Sequence, residues 1–326
     1  MTRFLPDRFV TLMIASAVLG FLLPGLGASD GPLRLGLVTK IGIAFVFFLH
    51  GANLAPENLV AGVKNWKVHV LIQATTFTMF PILGLAIYFG LAPVLPESSR
   101  LGFFFLAALP STISSSVAMT VLAKGNVPVA VFTATLSGLL GLVLPPLMIS
   151  VVTAAGSVQF SLFDAIINIA MTLLAPFVVG QRVRPVIKGF LAEHKPIISW
   201  IDRGVILLIV FTSFAPSTAG GIWSRFTALE IAATLGLVLV LLALAFGFTN
   251  FTARQLKLSQ EDEAAAVFCG STKSLANGAP IAQILFAGSP VLGVILLPLM
   301  LYHQLQLVAC AVMAQRYAKR ADAVVV

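Results

Sequence analysis

The chain is 326 residues long, with 59% hydrophobic residues, 10% charged residues and a formal net charge of +8. A soluble domain carries about 25% charged residues, so this chain lacks the polar surface to cover a water-soluble globule and reads as a polytopic membrane protein. The basic residues sit in short loops beside apolar runs, which argues against a nucleic-acid partner, and Cys269 and Cys310 offer neither a disulfide framework nor a metal-binding spacing.

A membrane span needs about 20 mostly apolar residues. Such runs fall at 8–26, 35–54, 68–90, 101–123, 127–152, 163–181, 201–217, 228–251, 264–287 and 290–314. The first resembles a signal-peptide core ahead of Gly27-Ala28-Ser29, but the runs behind it make it the first span of the mature protein. The longest polar segment, 182–203, reads as a cytoplasmic linker between two sets of spans. The expected organisation is a first five-span repeat over 1–181, the linker over 182–203 and the remaining spans over 204–326, with the second repeat beginning at span 6, about 163.

Loop charge fixes an orientation by the positive-inside rule. With a cytoplasmic N-terminus, the inner segments hold 15 Lys and Arg and the outer segments 4 (Arg34, Lys40, Arg100 and Arg225). Both termini are therefore expected in the cytoplasm, and in a bacterium the membrane is the inner one. An internal repeat agrees. "STIS" at 111–114 returns as "STKS" at 271–274, and "LAPEN" at 54–58 as "FAPST" at 214–218. "LPPLM" at 144–148 resembles "LLPLM" at 296–300, and "LAKGN" at 122–126 parallels "LFAGS" at 285–289. These pairs relate spans 2 to 7, 4 to 9 and 5 to 10, and five spans followed by five more give halves of opposite orientation. The expected fold is all-α, ten transmembrane helices in two inverted five-helix repeats.

Spans 4 and 9 carry the chemistry. Span 4 has Pro110 followed by Ser111, Thr112, Ser114, Ser115 and Ser116. Span 9 has Gly270, Ser271, Thr272, Ser274, Asn277, Gly278 and Pro280. Proline removes a backbone donor, glycine loosens the backbone, and hydroxyl side chains satisfy freed carbonyls. Both spans are predicted to break, near Ser111–Ser116 and Gly270–Asn277, and to cross there. Two interrupted helices at matching positions mark a binding site at the membrane midplane. The plainer alternative is a pair of proline-kinked helices with small-residue packing faces.

These residues carry a family resemblance. "PSTISSSVAMTVLAKGN" (110–126) resembles the span-4 signature of the bile acid:sodium symporter superfamily, and "FLHGANL" (48–54) is similar to its span-2 ending. In span 9 the family's sodium-dependent bile acid transporters carry an acidic residue and then Gly-x-Gln-Asn. Here Phe268 takes the acidic place, Thr272 the Gln place and Lys273 the Asn place. This form resembles the SBF-like branch, the one similar to vertebrate solute carrier family 10 member seven. The resemblance implies transport of an organic anion by alternating access, coupled to sodium or protons and without a cofactor. It implies one sodium-like site from Ser115, Ser116, Thr133 and Ser137. For the span-3 glutamine of the second site it offers Gln73, or Thr76 if Pro81 sets the alignment. Beyond substrate and lipid bilayer no partner is implied, and a monomer is expected.

Lys273 is the only Asp, Glu, Lys or Arg between Ala264 and Gln315. It lies ten residues from Glu263, about 15 Å along a helix and half of a ~30 Å hydrocarbon core. A lysine near a helix end snorkels to water; from mid-membrane that is hard, and an ionisable residue at such depth is functional by default. Three roles remain open: Lys273 replaces the second sodium ion, takes up and releases the coupling proton, or pairs with the anionic substrate. The first two are compatible and preferred. Ser111, Thr112, Ser114, Ser271, Thr272, Ser274 and Asn277 are the expected companions for substrate or coupling. Two rivals come from other classes: a channel, and an intramembrane hydrolase in which Lys273 activates a serine. His50, His69 and His303 read as interfacial or packing residues.

Overall fold

The computed structural model describes residues 8–27, 33–54, 65–153, 162–225 and 227–324, and all its regular elements there are helices. The repeat motif at 54–58 lies outside them except for Leu54, as do Arg3, Asp7, Asp30 and Lys64. The helices are α1 (Arg8–Leu22), α2 (Leu35–Asn53), α3 (Trp66–Gly90), α4 (Glu97–Ala108), α5 (Ser114–Leu122), α6 (Val127–Leu140) and α7 (Leu144–Thr153). There follow α8 (162–193), α9 (Lys195–Ala219), α10 (Ala228–Gln255), α11 (Gln260–Gly270), α12 (Leu275–Leu285) and α13 (Leu292–Val324).

Among the described residues five helices are long and apolar enough to cross a membrane, and six if α6 and α7, bent by 43°, count as one span. The chain is thus an integral membrane protein. Of the other apolar runs, 8–26 holds the shorter α1, 163–181 lies in α8, and 101–123, 127–152 and 264–287 are each divided between two shorter helices; the first and last of these divisions are the anticipated ones. Span 4 breaks over residues 109–113 and span 9 over 271–274. Ser114, Ser115 and Ser116 open α5 rather than lie in the break. The polar segment 182–203, expected as a cytoplasmic linker, is helical apart from His194, where α8 gives way to α9.

The helices group into two compact units. The first takes the described residues of 1–54, 159–227 and 279–296, the second those of 55–158, 228–278 and 297–326. In the first unit α2 and α8 cross with backbones touching. A Cβ on Gly51 would land on the Phe177 carbonyl, and one on Gly180 on the Phe48 carbonyl, so only glycine permits the approach.

The second unit holds both breaks. Its acidic residues secure the start of α11. The Ser259 hydroxyl caps that helix by accepting from Asp262 N–H at 3.2 Å, and Glu261, Asp262 and Glu263 favour the positive end of its dipole. Asp262 accepts from the side-chain amides of Asn65 (3.1 Å) and Asn126 (2.8 Å), the residues that precede α3 and α6. Glu263 is buried, accepts from the Tyr317 hydroxyl at 2.8 Å, and pairs with Arg254 and Arg320 at 3.5 Å. The first half of broken span 9 is therefore held at its polar end by the partnered carboxylates of Asp262 and Glu263.

Candidate functional site

Two prolines leave three carbonyls without helical partners. Pro81 has no N–H and its ring crowds the turn before it. α3 widens for one turn, Thr75–Met79, in which Phe80 N–H bonds the Thr75 carbonyl. In that register the partner of the Thr76 carbonyl would be Pro81, which cannot donate. Pro110 acts likewise on α4. The residue before a proline is driven out of the helical region, and Leu109 is extended at φ −69, ψ 153. The Ala107 carbonyl would find Ser111 N–H in a continued helix, but that N–H donates to the Ser137 hydroxyl at 3.0 Å.

Lys273 meets all three orphans. Its ammonium donates to the carbonyls of Thr76 (3.0 Å), Ala107 (2.7 Å) and Leu109 (2.7 Å). The Phe80 ring centroid lies 4.0 Å from Nζ. The side chain is fully buried, and among the described residues it forms no salt bridge. Removing an ammonium from water costs several kcal/mol. Three hydrogen bonds to a charged donor contribute about 1.5–3 kcal/mol each, and a desolvated cation–π contact about 2 kcal/mol. Three carbonyl oxygens and a ring face thus take the place of hydration, so a lysine without a carboxylate is tolerable here.

The break that carries Lys273 is satisfied residue by residue. Ser271 N–H and hydroxyl return to the Val267 carbonyl, and the Thr272 hydroxyl to the Phe268 carbonyl at 2.8 Å. The Ser271 carbonyl accepts from the Tyr302 hydroxyl at 2.7 Å. Gln306 brackets Lys273: its Oε1 accepts from Lys273 N–H at 2.7 Å and its Nε2 donates to the Lys273 carbonyl at 2.9 Å. Ser274 N–H donates to the Pro110 carbonyl at 2.9 Å, and the Ser274 hydroxyl accepts from Asn277 N–H at 3.2 Å, capping α12.

The hydroxyls of the two breaks form one cluster. Thr272 Oγ1 lies 3.1 Å from Ser111 Oγ and 2.8 Å from Ser116 Oγ, and Ser116 Oγ lies 2.8 Å from Thr112 Oγ1. Ser115 joins through Thr112. Ser114 is exposed on α5. The rest of the sodium-like set lies on α6 and α3. The Thr133 hydroxyl donates to the Val129 carbonyl at 2.8 Å and stands 2.6 Å from His69 Nδ1, so it accepts there. Gln73 Nε2 donates to the Thr133 carbonyl at 3.1 Å, while its Oε1 is buried without a hydrogen-bond partner. The structure therefore joins Ser111, Thr112, Ser115, Ser116 and Thr272, sets Ser137 against Ser111 N–H, and pairs Gln73 and His69 with Thr133. It does not bring Gln73 to Lys273; the span-3 group at the ammonium is the Thr76 carbonyl.

The sequence reading missed four contributors. Tyr302 and Gln306 are spaced by four on α13, and both are fully buried. His303 Nδ1 lies 2.9 Å from Gln306 Nε2, and His69 reaches Thr133. The available signal was polar side chains at i, i+4 spacing in an apolar span facing a predicted break.

The family model described as "SBF-like CPA transporter family" matches residues 7–319. An uncharacterized protein of Pseudomonas aeruginosa is 45% identical over 320 residues, covering 98% of this chain and 95% of the relative. The putative symporter YfeH of Escherichia coli is 38% identical over 316 residues, covering 97% and 94%. Sodium/bile acid cotransporter 7 of Rattus norvegicus is 31% identical over 300 residues, covering 89% and 86%. The family description and the last two of these names are those of transporters, which sets the hydrolase reading aside. A family match over almost the whole chain, with relatives above 30% identity, leads to one conclusion: the chain belongs to the SBF-like CPA transporter family of membrane transporters.

Proposed function

We propose that the protein is a secondary active transporter of an organic anion, working by alternating access and coupled to sodium or protons, in which Lys273 stands permanently where sodium-dependent relatives hold their second sodium ion. The observation that carries this reading is the ammonium among the Thr76, Ala107 and Leu109 carbonyls. Backbone carbonyls freed by broken helices are ligands suited to a cation at mid-membrane. All three ammonium protons are engaged, which favours a built-in cation over direct pairing with substrate.

Ten spans in two inverted repeats, with spans 4 and 9 crossing at their breaks, are part of the proposal. Hydroxyls of both breaks within 3.1 Å support the crossing. Loop charge supports placing both termini in the cytoplasm, and a bacterial inner membrane is part of the same proposal. A relative named a symporter and others named sodium/bile acid cotransporters support cation coupling. We assign one travelling cation to the neighbourhood of Thr133, where Gln73 Oε1 is buried without a hydrogen-bond partner while its own amide nitrogen donates to the Thr133 carbonyl. Ser115, Ser116 and Ser137 are the remaining oxygen donors assigned to that cation. Ser111, Thr112, Ser114, Ser271, Thr272, Ser274 and Asn277 are assigned to substrate and coupling.

The test is a thermal-shift screen of bile acids, sulfated steroids and smaller organic acids, with and without sodium, followed by counterflow in proteoliposomes. A stabilising anion that exchanges across the membrane, with exchange abolished in Lys273→Met, is the expected outcome. A Lys273→Met protein that transports as well as the parent over the whole pH range makes Lys273 structural and overturns the proposal.

A further inference from the structure

We infer that Gln306 is a positioning residue for Lys273: its side-chain amide fixes the peptide on both sides of the Lys273 Cα and thereby aims the ammonium at its three carbonyls. This deepens, and rests on, the reading of Lys273 as a built-in cation.

A break in a helix leaves backbone groups in search of partners, and in a membrane water does not supply them. In the span-9 break most of these groups use side chains of the break itself or the backbone of span 4. Lys273 is different. Its N–H and its carbonyl both reach one group, the amide of Gln306, at 2.7 and 2.9 Å, and His303 on the same helix also hydrogen-bonds the Lys273 backbone. A primary amide offers one acceptor and two donors in a plane, so it matches the N–H and C=O of a single residue as a neighbouring strand does. Two such bonds restrain both φ and ψ at Lys273, and the direction of Cα–Cβ follows from those angles. The second Gln306 donor reaches His303 Nδ1 at 2.9 Å, so the amide itself cannot rotate without losing a partner. Gln306 is fully buried, which makes each of these bonds costly to leave unmade. Tyr302 is the built-in comparison. It lies one turn away on α13 and bonds the same break, but at the Ser271 carbonyl, where it leaves the Lys273 backbone free. Gln306 thus governs where the charge points, whereas Tyr302 only closes a carbonyl.

The experiment reads the exposure of the lysine directly and needs no substrate. Purified protein in detergent is treated with a small amine-reactive imidoester, and modification of Lys273 is followed by mass spectrometry. Maleimide labelling of the buried Cys269 and Cys310 reports whether the fold is intact. In the parent Lys273 is protected. Gln306→Met keeps the volume and removes both bonds; Lys273 should then be modified about tenfold faster, because the local opening that exposes it has lost its main restraint. Tyr302→Phe should label at the parent rate. Lys273 protected in Gln306→Met as in the parent overturns the inference. So does equal labelling in Gln306→Met and Tyr302→Phe, which makes the break merely loose. If Gln306→Met also exposes the cysteines, Gln306→Asn carries the same comparison, since it keeps the polar amide but is one methylene too short to reach both the N–H and the carbonyl of Lys273. Failure of the built-in-cation reading shows elsewhere, as undiminished transport by Lys273→Met, and leaves this labelling result standing.

Discussion

Ser274 N–H donates to the Pro110 carbonyl at 2.9 Å, so the break in span 9 is bonded directly to the residue that causes the break in span 4. The two interruptions are parts of one structure. Each supplies what the other lacks: span 4 has freed carbonyls, and span 9 has freed donors and an ammonium.

Lys273→Met should lower stability as well as transport. Methionine fills the volume but leaves three buried carbonyls unmet, and each such group costs about 1–3 kcal/mol. A thermal midpoint well below that of the parent in detergent is expected. A midpoint equal to the parent's would mean that the three carbonyl contacts contribute nothing to folding.

Pro81→Ala separates helix quality from function. Alanine restores an N–H and improves helical propensity by about 3 kcal/mol. α3 should then close into a regular helix, with Phe80 N–H moving to the Thr76 carbonyl and one of the three acceptors lost to Lys273. Transport should fall by about tenfold, near the low end for one charge-assisted hydrogen bond, without a matching loss of stability. Parallel transport and melting measurements check this, and full transport would show the widened turn to be dispensable.

Ser115→Ala addresses the travelling cation. Ser115 is half-buried and tied to Thr112 alone among the cluster, so its removal disturbs packing little. Loss of a ligating oxygen should weaken sodium-dependent stabilisation by about 1–3 kcal/mol. Sodium titrations that superpose on those of the parent would remove Ser115 from the site.

Glu263→Gln tests the anchor of span 9. The neutral amide loses its attraction to Arg254 and Arg320 but retains an acceptor for Tyr317. Removing the charge should cost about 1–3 kcal/mol, since hydrogen bonds to a charged, buried acceptor are the strong ones. The thermal midpoint reports it, and high salt should narrow the difference only slightly because the carboxylate is buried.

The sequence made the two breaks legible because proline and glycine act locally: Pro110 and the Gly270–Ser274 run interrupt their spans wherever these pack. The isolation of Lys273 was equally visible. Its acceptors were not, since backbone carbonyls leave no mark in a sequence, and only the register shift ahead of Pro81 explains why Thr76 is among them. Gln306 and Tyr302 were hidden for a related reason. A glutamine or tyrosine in an apolar run takes its meaning from the unbonded backbone it faces, and that partner lies some thirty residues away. The helical backbone of residues 182–203 was hidden as well, because their polarity speaks of exposure and not of backbone form.

A cation tethered to the chain alters what the membrane potential contributes. Each elementary charge that crosses with the cargo is worth about 2.3 kcal/mol per 100 mV. A second sodium ion would deliver that increment on every turnover, whereas in the proposed mechanism the Lys273 ammonium would return with the protein and deliver none. With one travelling monovalent cation, the proposed cycle would move a monovalent anion and its partner with no net current. Accumulation would then be limited by concentration gradients alone and would keep the same ratio in a cell whose membrane has depolarised.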